Sequence, residues 1–150
     1  MSTDWIIVVK SVADAFVAKL QARTAQIKAA DPVAEIATLG RLISADAAKR
    51  VNDLIEDAVS KGACLLVGGQ IDGCVMQPAL LDGIAANMRL YREETFGPLA
   101  SIMRVYDAEE AVSIANDSEF GLNAAVFTRN LDRAQAIADR LEYGVVQING

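Results

Sequence analysis

The chain has 150 residues, 53% of them hydrophobic, and sets 14 Lys and Arg against 20 Asp and Glu for a formal net charge of -6. That length and apolar content suit one domain around a single core, and the acidity leaves no basic stripe for nucleic acid or an anionic membrane surface. No histidine occurs, which excludes a Ser-His-Asp triad, a Cys-His dyad, a His-ligated metal and the usual near-neutral proton shuttle.

Trp5 to Val9 is a β-branched run suited to a buried strand. Ser11 and Asp14 form a capping-box-like start, with Asp in place of Glu, for a helix reaching toward Ile27 with Phe16, Leu20 and Ile27 on one side. Asp31-Pro32 ends that pattern. Pro32 to Ser44 reads as a connection before a second helix whose Val51, Leu54, Ile55, Ala58 and Val59 repeat at helical spacing, closed by Gly62. Ala63 to Val67 then reads as a buried strand and Gly68-Gly69 as a turn. Val75 to Leu81 is a further extended segment, which Pro78 pushes toward an edge or a bend.

Downstream, Leu99 to Val105 predicts a strand, and Asp107 with Glu110 opens a helix ending near Asn116. Ala124 to Phe127 is a strand. Asn130 caps a helix with Leu131, Ala134, Ile137, Ala138 and Leu141 on one face, Gly144 sits where a left-handed stop is expected, and Val145 to Ile148 is the last strand. This alternation predicts an α/β fold with a mainly parallel sheet flanked by helices.

Apolar runs fall far short of the roughly 20 residues of a membrane span. Met1-Ser2-Thr3-Asp4 carries no basic stretch ahead of an apolar run, so it does not read as a secretory signal, and a cytoplasmic protein without a membrane partner is expected. Cys64 and Cys74 are too few for a disulfide scaffold or a zinc site, and no metal site is predicted. Cys64, inside Ala63-Cys64-Leu65-Leu66, reads as a buried core thiol. Cys74, after Gly73 in a turn, lacks a cationic neighbour in sequence to stabilise a thiolate.

The densest signal is Glu93-Glu94-Thr95-Phe96-Gly97-Pro98. An ionised Glu94 offers two coplanar acceptors for vicinal hydroxyls such as those of a ribose, and Phe96 could pack on a flat heterocycle. The alternative is a solvated acidic turn anchored in the core by Phe96. Gly68-Gly69 lacks the spacing of a phosphate loop, and Glu109-Glu110 are more simply first-turn residues of a helix than a hydrolytic carboxylate pair.

Glu93 to Pro98, Ala115 to Leu122, Ala124 to Thr128 and Gly144 to Gly150, with the upstream Leu39 to Ile43, Lys61-Gly62-Ala63, Gly68-Gly69 and Gln77-Pro78, together resemble the NAD(P)-dependent aldehyde dehydrogenase superfamily in order and spacing. The resemblance covers essentially the whole chain. Arg89 to Glu94 and Gly73 to Gln77 are most similar to its bacterial branch acting on aromatic aldehydes such as salicylaldehyde or vanillin.

The resemblance implies that Glu94 binds the nicotinamide ribose and that Phe96 packs near the nicotinamide. A segment that in some members contacts the adenosine side through Gln and an aromatic here carries Ala47 and Ala48, and Arg41 stands where the family more often has proline. In the full enzymes a thiolate attacks the aldehyde, hydride passes to NAD(P), and water releases the acid.

The family's nucleophile precedes a Met-Ser-Thr-like sequence, so Met1-Ser2-Thr3 is expected to follow it directly. No residue here is then assigned a catalytic role, and the chain is expected to be a catalytic domain truncated at both ends, without the Rossmann domain, the general-base glutamate or the oxyanion asparagine. Aldehyde and NAD or NADP are expected for the parent enzyme, with no cofactor bound by this chain alone. A self-associating or partner-binding module, using exposed sheet edges or an interdomain face to form a homo-oligomer, is the alternative. A weak nucleotide-binding relic is another.

Overall fold

The computed structural model describes residues 3–33 and 38–150. Met1 and Ser2, on which the expected junction with a nucleophile rests, and part of the connection after Pro32 lie outside the described residues. The chain divides into two compact units, Met1–Arg104 and Val105–Gly150.

In the first unit, β1 (Trp5–Val9) runs directly into α1 (Lys10–Thr24), and α2 (Ala45–Ser60) follows the connection. Then come β2 (Cys64–Val67), the small hairpin β3 (Ile71–Asp72) and β4 (Val75–Met76), β5 (Ala79–Asp82), a 3-10 turn over Arg89–Tyr91, and β6 (Leu99–Val105). A four-stranded sheet has the order β1-β6-β5-β2. β5 and β6 are parallel, Ala79 opposite Leu99 through Asp82 opposite Ile102, while β2 joins β5 antiparallel with a register shift between Leu65 and Val67.

Apolar burial holds these layers together. Val8, Ala13, Val17, Leu80 and Ile102 form one buried cluster that seats α1 on the sheet, with Leu20 packed against it. α2 buries Ala48, Val51, Leu54, Ile55 and Ala58, and Ser44 caps it by accepting from the Ala47 N–H at 3.1 Å.

The second unit carries α3 (Ala108–Asn116), β7 (Asn123–Val126), α4 (Leu131–Ala138) and β8 (Val145–Ile148), with β7 and β8 parallel. Asp107 and Asn130 cap the two helices as the sequence predicts. Asn149, at φ 55°, accepts from the Thr128 N–H and donates to its carbonyl, so its side chain prolongs the parallel pair by one rung.

The expected α/β class with mainly parallel pairing and flanking helices is the fold observed. Several local expectations differ. α1 begins at Lys10 with Val9 at its cap and no side-chain capping bond, and it stops at Thr24 rather than near Ile27. Its inward face is Ala13, Val17 and Thr24, whereas Phe16 is exposed, because the direct exit from β1 fixes the helix phase; Ile27 lies past the helix end and is exposed as well. Val59 is also exposed.

β2 is an edge strand with Cys64 and Leu65 exposed, so Cys64 is not a core thiol. The extended run from Val75 breaks at Pro78, and its second half, β5, is an interior strand. α4 ends at Ala138, before Leu141, and Leu131 at its first turn is exposed. Gly144 is absent from the positive-φ residues; its N–H donates to the Gly121 carbonyl at 2.7 Å, and an added Cβ would meet the Leu122 carbonyl at 3.3 Å.

Candidate functional site

Glu93 to Pro98 joins the 3-10 turn to β6. The upstream end is anchored by aromatic packing: Trp5 and Tyr91 have ring centroids 5.1 Å apart, the Trp5 indole N–H donates to the Leu90 carbonyl, and the Arg92 guanidinium lies 4.9 Å over the Tyr91 ring. The downstream end enters the sheet through the Ala79 N–H, which donates to the Pro98 carbonyl at 2.8 Å.

Between these anchors Thr95 is the inward residue, 2% exposed, while Phe96 is 81% exposed. The alternative in which Phe96 anchors the turn in the core therefore does not hold. Phe96 sits at φ 48°, a left-handed conformation costly for a bulky side chain and kept only where its surroundings over-determine it. Gly97 permits close packing, since an added Cβ would lie 2.6 Å from Val51 Cγ2 of α2. Glu94 is exposed beside Phe96.

Two charged side chains that no motif marked hold the backbone of this turn. Arg50 of α2 donates to the Thr95 carbonyl at 2.9 Å and to the Glu94 carbonyl. Asp4, just before β1, accepts from the Thr95 N–H at 3.4 Å. Burial pushes the Asp4 carboxyl above the usual carboxylate range, the Thr95 amide opposes that shift, and the neighbouring Glu94 charge adds to it.

Glu93 has a different task from Glu94. It forms a two-point ion pair with Arg89, at 2.7 and 3.0 Å, and that bond holds its carboxyl below the usual range. The paired acidic residues thus divide into one that braces the turn and one whose carboxylate faces outward.

The remaining candidates lie elsewhere or serve structure. Cys64 pairs with Asp82 on β5, which in turn pairs with Ile102 on β6. At strand spacings near 4.8 Å and rises near 3.3 Å, that is roughly 14 Å from the Leu99 position where the turn enters the sheet. Cys74 lies in the β3–β4 hairpin, its carbonyl accepting from the Leu42 N–H. Glu109 pairs with Arg140 at 2.7 Å, and Glu110 accepts from the Tyr106 N–H. Gly68 packs against the Pro78 carbonyl, so Gly68-Gly69 is a close-packed turn. Among the described residues, no group of three or more Cys, Asp or Glu is placed to hold a metal ion.

The aldehyde dehydrogenase family model matches residues 1–150. A vanillin dehydrogenase of Pseudomonas fluorescens is 52% identical over 150 residues, and a salicylaldehyde dehydrogenase of Pseudomonas putida is 42% identical over 151 residues; in each case the match takes in all of this chain and 31% of the relative. Solved structures agree. A salicylaldehyde dehydrogenase from Pseudomonas putida G7 complexed with salicylaldehyde superposes with a TM-score of 0.93 at 38% identity, covering 98% of this chain and 31% of that one. An NADP-dependent glyceraldehyde-3-phosphate dehydrogenase from Bacillus halodurans C-125 complexed with NADP gives 0.94 at 40% identity with the same coverage. The chain thus spans about a third of the length of these relatives. With family model, relatives and superposition in agreement over nearly every residue, this chain belongs to the aldehyde dehydrogenase family.

Proposed function

We propose that residues 1–150 form part of a catalytic domain without a Rossmann domain, and that Glu94 and Phe96 form the edge receiving the nicotinamide ribose and ring of NAD or NADP. The parent enzyme, on this reading, oxidises aldehydes, aromatic ones among them, to carboxylic acids. The carrying observation is the outward presentation of a carboxylate and a ring from one braced turn, with the ring held at φ 48°.

The residues fit the group. An exposed carboxylate can accept from two ribose hydroxyls, and an exposed ring can cover one face of a nicotinamide. NAD(P) bound there supplies the hydride acceptor. Glu94 orients the ribose, Phe96 limits water at the ring, and Glu93 with Arg89 braces the approach. The vanillin and salicylaldehyde dehydrogenases among the relatives support an aromatic substrate. No helix among the described residues is long and apolar enough to cross a membrane, and a cytoplasmic location accords with the free thiols of Cys64 and Cys74.

Neither cysteine serves as nucleophile on this reading, since Cys64 stands strands away from the turn and Cys74 lies in a separate hairpin. The isolated chain is therefore inactive and forms no tight cofactor complex, its residues offering a ribose and ring edge without a phosphate-cradling motif. The test has two arms. Purified chain mixed with vanillin or salicylaldehyde and NAD+ should give no aldehyde-dependent cofactor reduction; turnover persisting in Cys64→Ala/Cys74→Ala would sink the inactive reading. Millimolar NAD+ should shift amide resonances only around Glu94 to Gly97, and less so in Glu94→Gln. Unchanged spectra would reject the cofactor edge.

A second reading, self-association, is favoured by Leu122, Phe127, Leu131 and Val145 of the second unit, all more than half exposed. Light scattering that finds strict monomers across micromolar concentrations would reject it.

A further inference from the structure

We infer that Arg50 is a positioning residue of this site: its guanidinium, reaching from α2, holds the Glu94 and Thr95 carbonyls and so keeps Phe96 in its left-handed, outward conformation. The backbone clamp stands on geometry alone. Its relevance to a cofactor rests on the reading of Glu94 and Phe96 given above.

Arg50 belongs to the amphipathic helix α2 and lies between Ala48 and Val51, both buried. Burial of those neighbours fixes where the arginine leaves the helix. One terminal nitrogen donates to the Thr95 carbonyl at 2.9 Å and the other to the Glu94 carbonyl. Two successive carbonyls aimed at one side chain match the planar fork of a guanidinium, and the three freely rotating donors of an ammonium hold such a pair less rigidly.

The next helical residue completes the platform. Val51 lies against Gly97 so closely that a Cβ on Gly97 would clash at 2.6 Å. From the other side Asp4 accepts from the Thr95 N–H. Residue 96 is thereby left between a clamped peptide before it and a packed glycine after it. A bulky residue relaxes from φ 48° to an extended value unless neighbouring contacts forbid it, and the Arg50 pair is the charge-assisted contact that does so. Freed of it, the Phe96 ring would leave the side of Glu94.

The experiment uses the purified 150-residue chain and nuclear magnetic resonance. Two quantities are read: exchange of the Thr95 amide proton with solvent, and the Phe96 amide-to-α-proton coupling, which depends on φ. Arg50→Ala should speed Thr95 exchange about tenfold, the order expected for losing a charge-assisted contact through local opening, and move the coupling to an extended value. Arg50→Lys should fall between, and Lys49→Ala should match the unaltered chain. Exchange at the Leu54 and Ile102 amides reports overall stability.

Unchanged Thr95 exchange and Phe96 coupling in Arg50→Ala would overturn the proposal. So would acceleration at Thr95 only in proportion to Leu54 and Ile102, since that describes ordinary structural loss. If Arg50→Ala releases Phe96 while NAD+ shifts no resonance in the unaltered chain, the clamp stands and the cofactor reading falls.

Discussion

Phe96 places a large ring in solvent from a backbone conformation that costs a non-glycine residue energy, so the turn is shaped for presentation at the expense of stability. Asn tolerates the left-handed region better. Phe96→Asn should therefore raise the urea midpoint, by up to about 1 kcal/mol of stability, while removing the ring from the proposed cofactor edge; a loss of stability would show that the ring packs on something in solution. Gly97 makes the opposite case, because its partner is the β-branched Val51 on a helix, where χ1 is stiff and the side chain cannot swing aside. Gly97→Ala should cost about 1–3 kcal/mol. Adding Val51→Ala should recover part of that in a double-mutant cycle, and strict additivity would disprove the contact.

Helix starts show how far local sequence carries. Asp107 and Asn130 each cap the helix predicted for them, and Ser44, the last residue of the predicted connection, caps α2, because a capping side chain needs only its own next residues. Ser11 has the same composition signal and does not cap: β1 delivers the chain into α1 at Lys10, and Asp14 turns instead to Arg104, which also bridges to Asp82. Ser44→Ala should thus lower stability by about 1 kcal/mol, whereas Ser11→Ala should leave the thermal midpoint unchanged; equal losses would mean that the α1 start is misassigned. The same limit explains Cys64. An apolar run announces a strand, but whether that strand lies inside or at the edge depends on partners elsewhere in the chain, and β2 lies at the edge. Similarly, the stop at Gly144 was legible as a glycine position, yet its reason is the Gly121 and Leu122 carbonyls across the βαβ connection rather than a left-handed φ.

Across the whole molecule, the part of the proposed site legible in sequence is the part that is contiguous: Glu94 and Phe96 fall within one hexapeptide, whereas Arg50 and Asp4 reach Thr95 over sequence separations of 45 and 91 residues. Charged contacts, local and distant, also shape the response of the chain to acid. Arg89 holds Glu93 low through a side-chain bond, the Arg89 backbone N–H does the same for Asp57 with help from Lys61, and Arg140 does so for Glu109. A carboxyl lowered in the folded state binds fewer protons there than in the unfolded chain, so its contribution is present above the ordinary carboxylate range, about pH 4, and is lost as pH falls through its lowered value. Asp4 has the reverse sign. Burial raises it, the folded state favours its protonated form, and its contribution is present below the ordinary value and lost as pH rises through the raised one. Replacing Asp4 with Asn keeps an acceptor for the Thr95 N–H without a half-buried charge beside Glu94. Urea midpoints taken between about pH 3 and about pH 7 should therefore rise more steeply for Asp4→Asn than for the unaltered chain and end at or above it near neutrality. Glu93→Gln should flatten the same curve, and high salt should shrink its effect because both side chains of the Arg89 pair are partly open to solvent. A flatter curve for Asp4→Asn would mean that Asp4 is stabilised in its charged form, and the turn that carries Glu94 and Phe96 would then depend on that charge rather than tolerate it.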